Sequence, residues 1–218
     1  TIIVIILVVL FIKHRLSVDE SINKENENAE QKENEAKRLG NIGEKIINEL
    51  LGDTIPGRQY IINNLILEDN NGYTTQIDHI LINPKAVFVI ETKNLSGRIY
   101  GNENQKQWTQ VLAYGEEKHK LYNPIIQNEN HIYKLKKITK TELPIKSIVV
   151  FAQDNTEYIN SENVFTKRDM IYKINSYVKN NISKYEMENF YNQLQELKAN
   201  QIPDEEHIRN VERNRKYQ

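Results

Sequence analysis

Asp78, Glu91 and Lys93 are the residues in this chain whose types and spacing can do chemistry together. Asp78 lies in Gln76-Ile77-Asp78-His79-Ile80-Leu81-Ile82, where an acid interrupts a run that otherwise belongs in a buried strand. Glu91 and Lys93 close Val87-Phe88-Val89-Ile90-Glu91-Thr92-Lys93, two residues apart and therefore on one face of a strand. If residues 83–86, which include Pro84, form a hairpin loop, Ile82 pairs with Val87 and Asp78 falls opposite Glu91. Directly opposed residues have Cβ atoms about 4.5–5.5 Å apart, and two carboxylates there repel unless a cation or proton sits between them. A divalent ion resolves the conflict. Two carboxylates completed by waters and phosphate oxygens suit Mg²⁺ or Mn²⁺ rather than zinc. Such an ion polarises a phosphodiester and lowers the pKa of a bound water, while Lys93 stabilises charge developing on phosphorus or orients the water. The reaction class is hydrolysis of a nucleic-acid backbone, with Asp78 and Glu91 holding metal. A purely structural alternative pairs Asp78 with Lys93 as a buried salt bridge and leaves Glu91 merely ending a strand.

Other polar residues carry weaker signals. His79 lies on the opposite strand face from Asp78 and reads as a hydrogen-bonded core histidine rather than a general base. Gln127 and His131 stand one helical turn apart, placed either to contact a phosphate or base or to bind backbone groups in packing. Trp108, the sole tryptophan, either stacks on a base or packs in the core. Lys134, Lys136, Lys137 and Lys140 either track a phosphate backbone or form an ordinary solvated helix face.

The elements that must position these residues follow from periodicity. Ile42, Ile46, Ile47, Leu50 and Leu51 recur at helical spacing before a stop at Gly52. Gly40 and Gly43 inside that helix, beside Glu44, mark either a close approach by a backbone or ligand, or a frayed start. The period then falls to two over Arg58–Leu67, Tyr73–Ile82, Ala86–Lys93 and Arg98–Tyr100, an antiparallel meander. Asn123–Ile138 is helical, with Ile126, Ile132, Leu135 and Ile138 inward and Lys134, Lys136 and Lys137 outward. Ile145–Ala152 reads as a buried strand reached by a crossover, so a mixed sheet in an α/β fold results. Helices near Lys167–Lys179 and Ser183–Ala199 finish the body, and residues 201–218 read as an exposed charged tail.

Composition bounds the rest. A chain of 218 residues with 39% hydrophobic and 27% charged side chains accommodates one domain with appendages. The absence of cysteine excludes disulfides, thiolate zinc sites and cysteine nucleophiles. Net charge is −1 but unevenly placed. Residues 17–36 hold seven acids against Lys24 and Lys32 and form an acidic linker, while Lys13 and Arg15 precede it, leaving residues 37–218 at +2. Eleven large apolar residues, Ile2–Ile12, end at Lys13-His14-Arg15. Twelve residues of helix span about 18 Å, short of the roughly 30 Å bilayer core. As the chain opens on Thr, the expectation for residues 1–16 is a truncated membrane anchor, with a buried strand or signal segment as the alternatives. The basic cluster would keep the body on the cytoplasmic side.

Taken in order, Gly40-x-x-Gly43-Glu44, Gln76-Ile77-Asp78-His79-Ile80-Leu81, Val89-Ile90-Glu91-Thr92-Lys93-Asn94, Gly97-x-Ile99-x-Gly101, Trp108 and Asn123-Pro124-x-x-Gln127-x-x-x-His131 resemble the nuclease-related domain, NERD, of the PD-(D/E)XK nuclease superfamily. The resemblance covers approximately residues 37–140, within a domain taken as residues 37–200. It implies a restriction-endonuclease-like core and a nuclease, which with Mg²⁺ or Mn²⁺ at the carboxylates gives the expectation of a metal-dependent nuclease; DNA is the expected substrate ahead of RNA, and a homodimer would suit cutting of both strands. It matches Asp78 to the first metal-binding acid, Glu91 and Lys93 to the E-x-K element, and Glu44 to an acid supplied by the first helix, as catalytic residue and metal ligand. Gln110, followed by Tyr114, resembles a glutamine element of some branches; with Gln127 and His131 from the motif and Lys134 from the lysine run, it makes up the expected set of nucleic-acid contacts. Ile77 stands where the superfamily name has Pro. The competing expectation is a catalytically inactive nucleic-acid-binding or scaffolding module on the same fold.

Overall fold

The computed structural model describes residues 2–215. Contacts divide the chain into two units, residues 1–41 and 42–218. The first contains most of helix α1 (Ile2–Leu51), which is helical throughout residues 17–36 and exposed over residues 20–36, so that part of the linker is a solvated helix. Arg38 and Glu35 form an exposed ion pair on it at 2.7 Å. The side chains of residues 1–13, on which the membrane expectation mainly rests, lie outside the described residues. Among the described residues no helix is long and apolar enough to cross a membrane.

In the second unit, β1 (Tyr60–Glu68), β2 (Thr74–Ile82), β3 (Val87–Lys93), β7 (Ile145–Phe151) and β9 (Val164–Thr166) form a five-stranded sheet in the order β1-β2-β3-β7-β9. The β2–β3 register has Ile82 opposite Val87, as the hairpin spacing requires. From β3 the chain passes through a second sheet and helix α2 (Pro124–Thr139) before β7 enters parallel to β3, which makes the sheet mixed. One face is covered by the end of α1 and by α3 (Lys167–Ser176), whose Ile47, Leu51, Met170 and Ile174 pack on Phe88, Ile90, Ile148 and Val150. The other is covered by α2 and α4 (Lys184–Ala199), whose Leu135, Met187, Phe190 and Leu194 pack on Ile80, Ile82, Val87 and Val89. Of the first helix's expected apolar face, Ile47 and Leu51 are buried, whereas Ile42 and Leu50 remain exposed.

Three expectations change. The meander's fourth segment leaves the central sheet: β4 (Arg98–Asn102) joins β5 (Gln107–Leu112), β6 (Glu117–Tyr122) and β8 (Ile159–Asn160) in a second sheet ordered β6-β5-β4-β8. Trp108 anchors it, fully buried, stacked on Phe151 with centroids 6.4 Å apart and donating from Nε1 to the Asn102 carbonyl, so its role is core packing. A Cβ at Gly101 would stand 2.2 Å from the Trp108 ring. Second, the buried stripe of α2 runs through Ile125, Asn128, His131, Leu135 and Thr139, while Ile126, Ile132 and Ile138 are half-buried flanks. Third, the C-terminal segment is a helix, α5 (Asp204–Arg215), tied to β2 by His207 Nδ1 and Thr74 Oγ1 at 2.8 Å rather than running free.

Two asparagines fasten α2. Asn123 caps it by accepting from the Ile125 N–H, and its Nδ2 meets the carbonyls of Asn102, Glu103 and Gln105 at 3.3, 3.2 and 2.8 Å. Asn128, fully buried, donates to the carbonyls of Val89 and Ile148 and to Ser147 Oγ, pinning the helix across β3 and β7.

Candidate active site

Asp78 owes its position to a break in the strand. On its β1 side the ladder passes from Asn63↔His79 to Leu65↔Ile77, skipping Asn64 and Asp78. Asn64 takes φ 52°, a left-handed conformation that asparagine tolerates better than most residues. Across this point the strand faces exchange, since Ile62, Ile80 and Ile82 share a core with Leu65, Leu67 and Ile77. On its β3 side the ladder ends at His79↔Ile90, one step short of Asp78 and Glu91. With no ladder partner on either side, Asp78 turns its Oδ2 to the backbone N–H of Thr92, 2.8 Å away.

Glu91 is 2% exposed. Its Oε1 accepts from Lys93 Nζ at 2.6 Å, and Lys93 also donates to Gln127 Oε1 at 3.1 Å. Its Oε2 has no hydrogen-bond partner and faces His131 Nδ1, likewise without one, across 3.4 Å. Lys93 therefore pairs with Glu91 and not with Asp78, and the purely structural alternative does not hold in that form. Helix α1 supplies Glu44 directly after Gly43, whose Cβ position lies only 2.5 Å from Asn94 Cβ and 3.4 Å from Thr92 Cγ2. Only a glycine permits that approach, so the close-approach reading holds for Gly43; a Cβ on Gly40 meets nothing within 4 Å.

These charges act on one another. Burial pushes the Asp78 pKa well above the usual carboxylate range, and the carboxylates of Glu91 and Glu44 add to it, against the Lys93 ammonium and the Thr92 N–H. Asp78 nevertheless keeps part of its surface open to solvent. Glu44 is raised for the same reasons, burial first and then Glu91, opposed by Lys93. Burial works to lower the Lys93 pKa, but the charges of Glu91 and Asp78, the hydrogen bond Lys93 donates to Glu91, and Glu44 outweigh it, and the ammonium is held more firmly than usual. Burial lowers the His131 pKa, so the imidazole beside Glu91 stays neutral more readily.

Of the residues read from the sequence, the fold gathers Asp78, Glu91, Lys93 and Glu44 into one electrostatic cluster and adds Gln127 and His131 as direct neighbours of Lys93 and Glu91. Gln110 lies on β5 with its amide donated to the Ser96 carbonyl. Lys134 is half-buried and reaches the Tyr73 carbonyl at 3.4 Å, while Lys136 and Lys137 are exposed. His79 is a core histidine: Nδ1 meets Asn63 Oδ1 at 2.8 Å, Asn63 donates to Asn48 Oδ1, and burial depresses the ring to about 4. Asn123 stands in the motif that carries the resemblance and opens α2, whereas the sequence reading misses Asn64 and Asn128; the signal for Asn128 is a polar residue at the apolar spacing of Leu135.

Among the described residues no group of three or more His, Cys, Asp or Glu side chains stands ready to hold a metal ion. The donor set is a pair of carboxylates with a third in their field. An orphaned buried oxygen on Glu91 and an Asp78 carboxyl that burial and two neighbouring acids push toward its protonated form fit the demand of a hard cation.

The model of the nuclease-related domain matches residues 39–152. An uncharacterised protein of Bacillus anthracis is 32% identical over 178 residues, covering 79% of this chain and 82% of the relative. No solved structure matches the chain.

Proposed function

Because the chain belongs to the nuclease-related domain family, we propose that it is a divalent-metal-dependent nuclease that hydrolyses DNA phosphodiester bonds at Asp78, Glu91, Lys93 and Glu44. The observation that carries the reading is three carboxylates sharing the field of one lysine, where burial first, and then Glu91 and Glu44, push Asp78 toward its protonated form. Mg²⁺ or Mn²⁺ held by Asp78 and Glu91, with Glu44 beside them, would polarise the phosphodiester and acidify a water. Lys93 is fixed by Glu91 and Gln127 with a proton to spare, and serves to stabilise negative charge building on the phosphoryl oxygens. Glu91 is held in turn by the Lys93 bond and by the burial of its side chain under α2.

The test incubates the full chain with plasmid DNA and Mg²⁺, and compares Asp78→Asn, Glu91→Gln and Lys93→Met. Each substitution is expected to slow cleavage by about a hundredfold or more. Equal residual cleavage in all four proteins rejects the assignment. A ribo-oligonucleotide of the same sequence checks the preference for DNA. One observation favours a second reading, a catalytically silent nucleic-acid-binding module: the 2.6 Å Lys93–Glu91 pair already neutralises Glu91 without an ion. DNA binding that persists in EDTA without any cleavage in Mg²⁺ would select it. The apolar run and basic cluster at residues 1–15 support a membrane-attached form with the nuclease domain on the cytoplasmic side, and cutting of both strands would suit a homodimer.

A further inference from the structure

The solvent side of the second sheet carries a pattern that the cleavage site does not use. Directly opposed residues of antiparallel strands share a face. The registers Arg98↔Val111↔Lys118 and Tyr100↔Thr109↔Lys120 therefore form two rows across β4, β5 and β6, and Gln107↔Tyr122 continues the same face. The alternate residues Ile99, Trp108 and Leu121 turn inward to the core. Lys120 Nζ donates to Thr109 Oγ1 at 2.9 Å on the outer side. Tyr158, just before β8, stacks on Tyr100 with centroids 4.8 Å apart, and the Arg98 guanidinium lies 5.9 Å from the Tyr158 ring centre. Tyr100, Tyr122 and Tyr158 are 38%, 42% and 44% exposed, and Arg98, Lys118 and Lys120 are exposed. These rows hold three cations and no carboxylate, in a chain whose net charge is −1.

We propose that this face binds single-stranded nucleic acid, with bases stacking at the Tyr100–Tyr158 pair and backbone phosphates meeting Arg98, Lys118 and Lys120. A sheet studded with aromatic rings between cations offers π-faces to bases and charge to phosphates without reading sequence. Only unpaired bases can present their faces to it, so the strand form follows from the geometry. The two rings are already stacked on each other, so little freedom is lost on binding. β4 begins five residues after Lys93, within about 17 Å of chain, so a strand lying on this face runs close to the carboxylate cluster. The inference deepens the nuclease reading by naming the form of its polymer, and rests on that reading for the polymer's identity.

The test measures fluorescence anisotropy of a labelled mixed-sequence oligodeoxynucleotide with the full chain in EDTA, where no cleavage interferes. The single strand is expected to bind more tightly than the same strand annealed to its complement, with a log–log salt slope of about −2, near 0.7 for each of three phosphates. Tyr100→Ala should weaken binding about tenfold while Tyr100→Phe retains it. The Lys118→Ala, Lys120→Ala pair should bring the slope below about −1 in magnitude. Tyr185→Ala, an exposed ring on α4 outside this face, should bind like the parent; because binding is read in EDTA, a failed cleavage assay leaves this result standing, and the reverse. No binding of the single strand, a preference for duplex, or unchanged affinity and slope in these variants overturns the proposal.

Discussion

A carboxyl forced to ionise beside two others costs the fold stability, and at Asp78 that cost is open to measurement. Its folded pKa is raised, so the native state holds the proton more tightly than the unfolded chain does. The penalty is absent below the ordinary aspartate range near 3.9, and it grows as pH rises through the raised folded value. Asp78→Asn, whose Oδ1 can still accept from Thr92, is expected to raise Tm by a few degrees at neutral pH, with a gain that vanishes in acid. Added Mg²⁺ should raise Tm of the parent and not of the variant. Thermal denaturation across pH checks both, and an equal Tm at every pH would remove the strain argument. At this scale the sequence was legible where one strand carries the spacing, as with Glu91 and Lys93. It was silent on what Gln127 and His131 touch, because the contact of a helix with a strand is set by tertiary packing; they meet Lys93 and Glu91 inside the protein.

At the level of elements, the site depends on how closely α1 approaches the end of β3. Gly43→Ala places a Cβ 2.5 Å from Asn94 Cβ, so the helix must back away and take Glu44 with it. The expected cost is about 1–3 kcal/mol, together with a fall in cleavage. Gly40→Ala meets open space and gains helix propensity, so it should be neutral or stabilising by up to about 1 kcal/mol. Urea unfolding of the two variants distinguishes this from a general intolerance of the helix. The relay from His79 through Asn63 to Asn48 joins β2, β1 and α1. With the folded pKa of His79 near 4, the unfolded chain takes the proton first, so stability present above about pH 6.5 is lost as pH falls toward 4. The loss should be on the order of 3 kcal/mol, at about 1.4 kcal/mol per pKa unit, and should shrink in His79→Gln. Denaturant titrations between those pH values read it. Four strands of the central sheet, β1, β2, β3 and β7, were legible because alternation, Pro84 and the crossover agreed, whereas the three-residue β9 was too short to signal itself. The second sheet was not legible: β6 reads Glu-Lys-His-Lys-Leu-Tyr, and its inward packing rests on Leu121.

For the molecule as a whole, the family match over residues 39–152 coincides with the strands and helix that assemble the carboxylate cluster, while α4 and α5 lie beyond it. The expected charged tail keeps Asp204, Glu205 and Glu206 exposed but is helical, as three acids in a first turn favour a helix start. The apolar run before Lys13 predicts that the full chain sediments with phosphatidylglycerol-containing vesicles and that a chain lacking residues 1–16 does not. Equal sedimentation of the two would remove the attachment. Finally, Asn123 shares two amide protons among three carbonyls of the 102–105 turn while capping the helix that bears Gln127 and His131. A reporter peptide spliced into that turn would therefore disturb Lys93 from a distance, whereas the β5–β6 tip, around fully exposed Tyr114, offers an insertion point remote from that clasp.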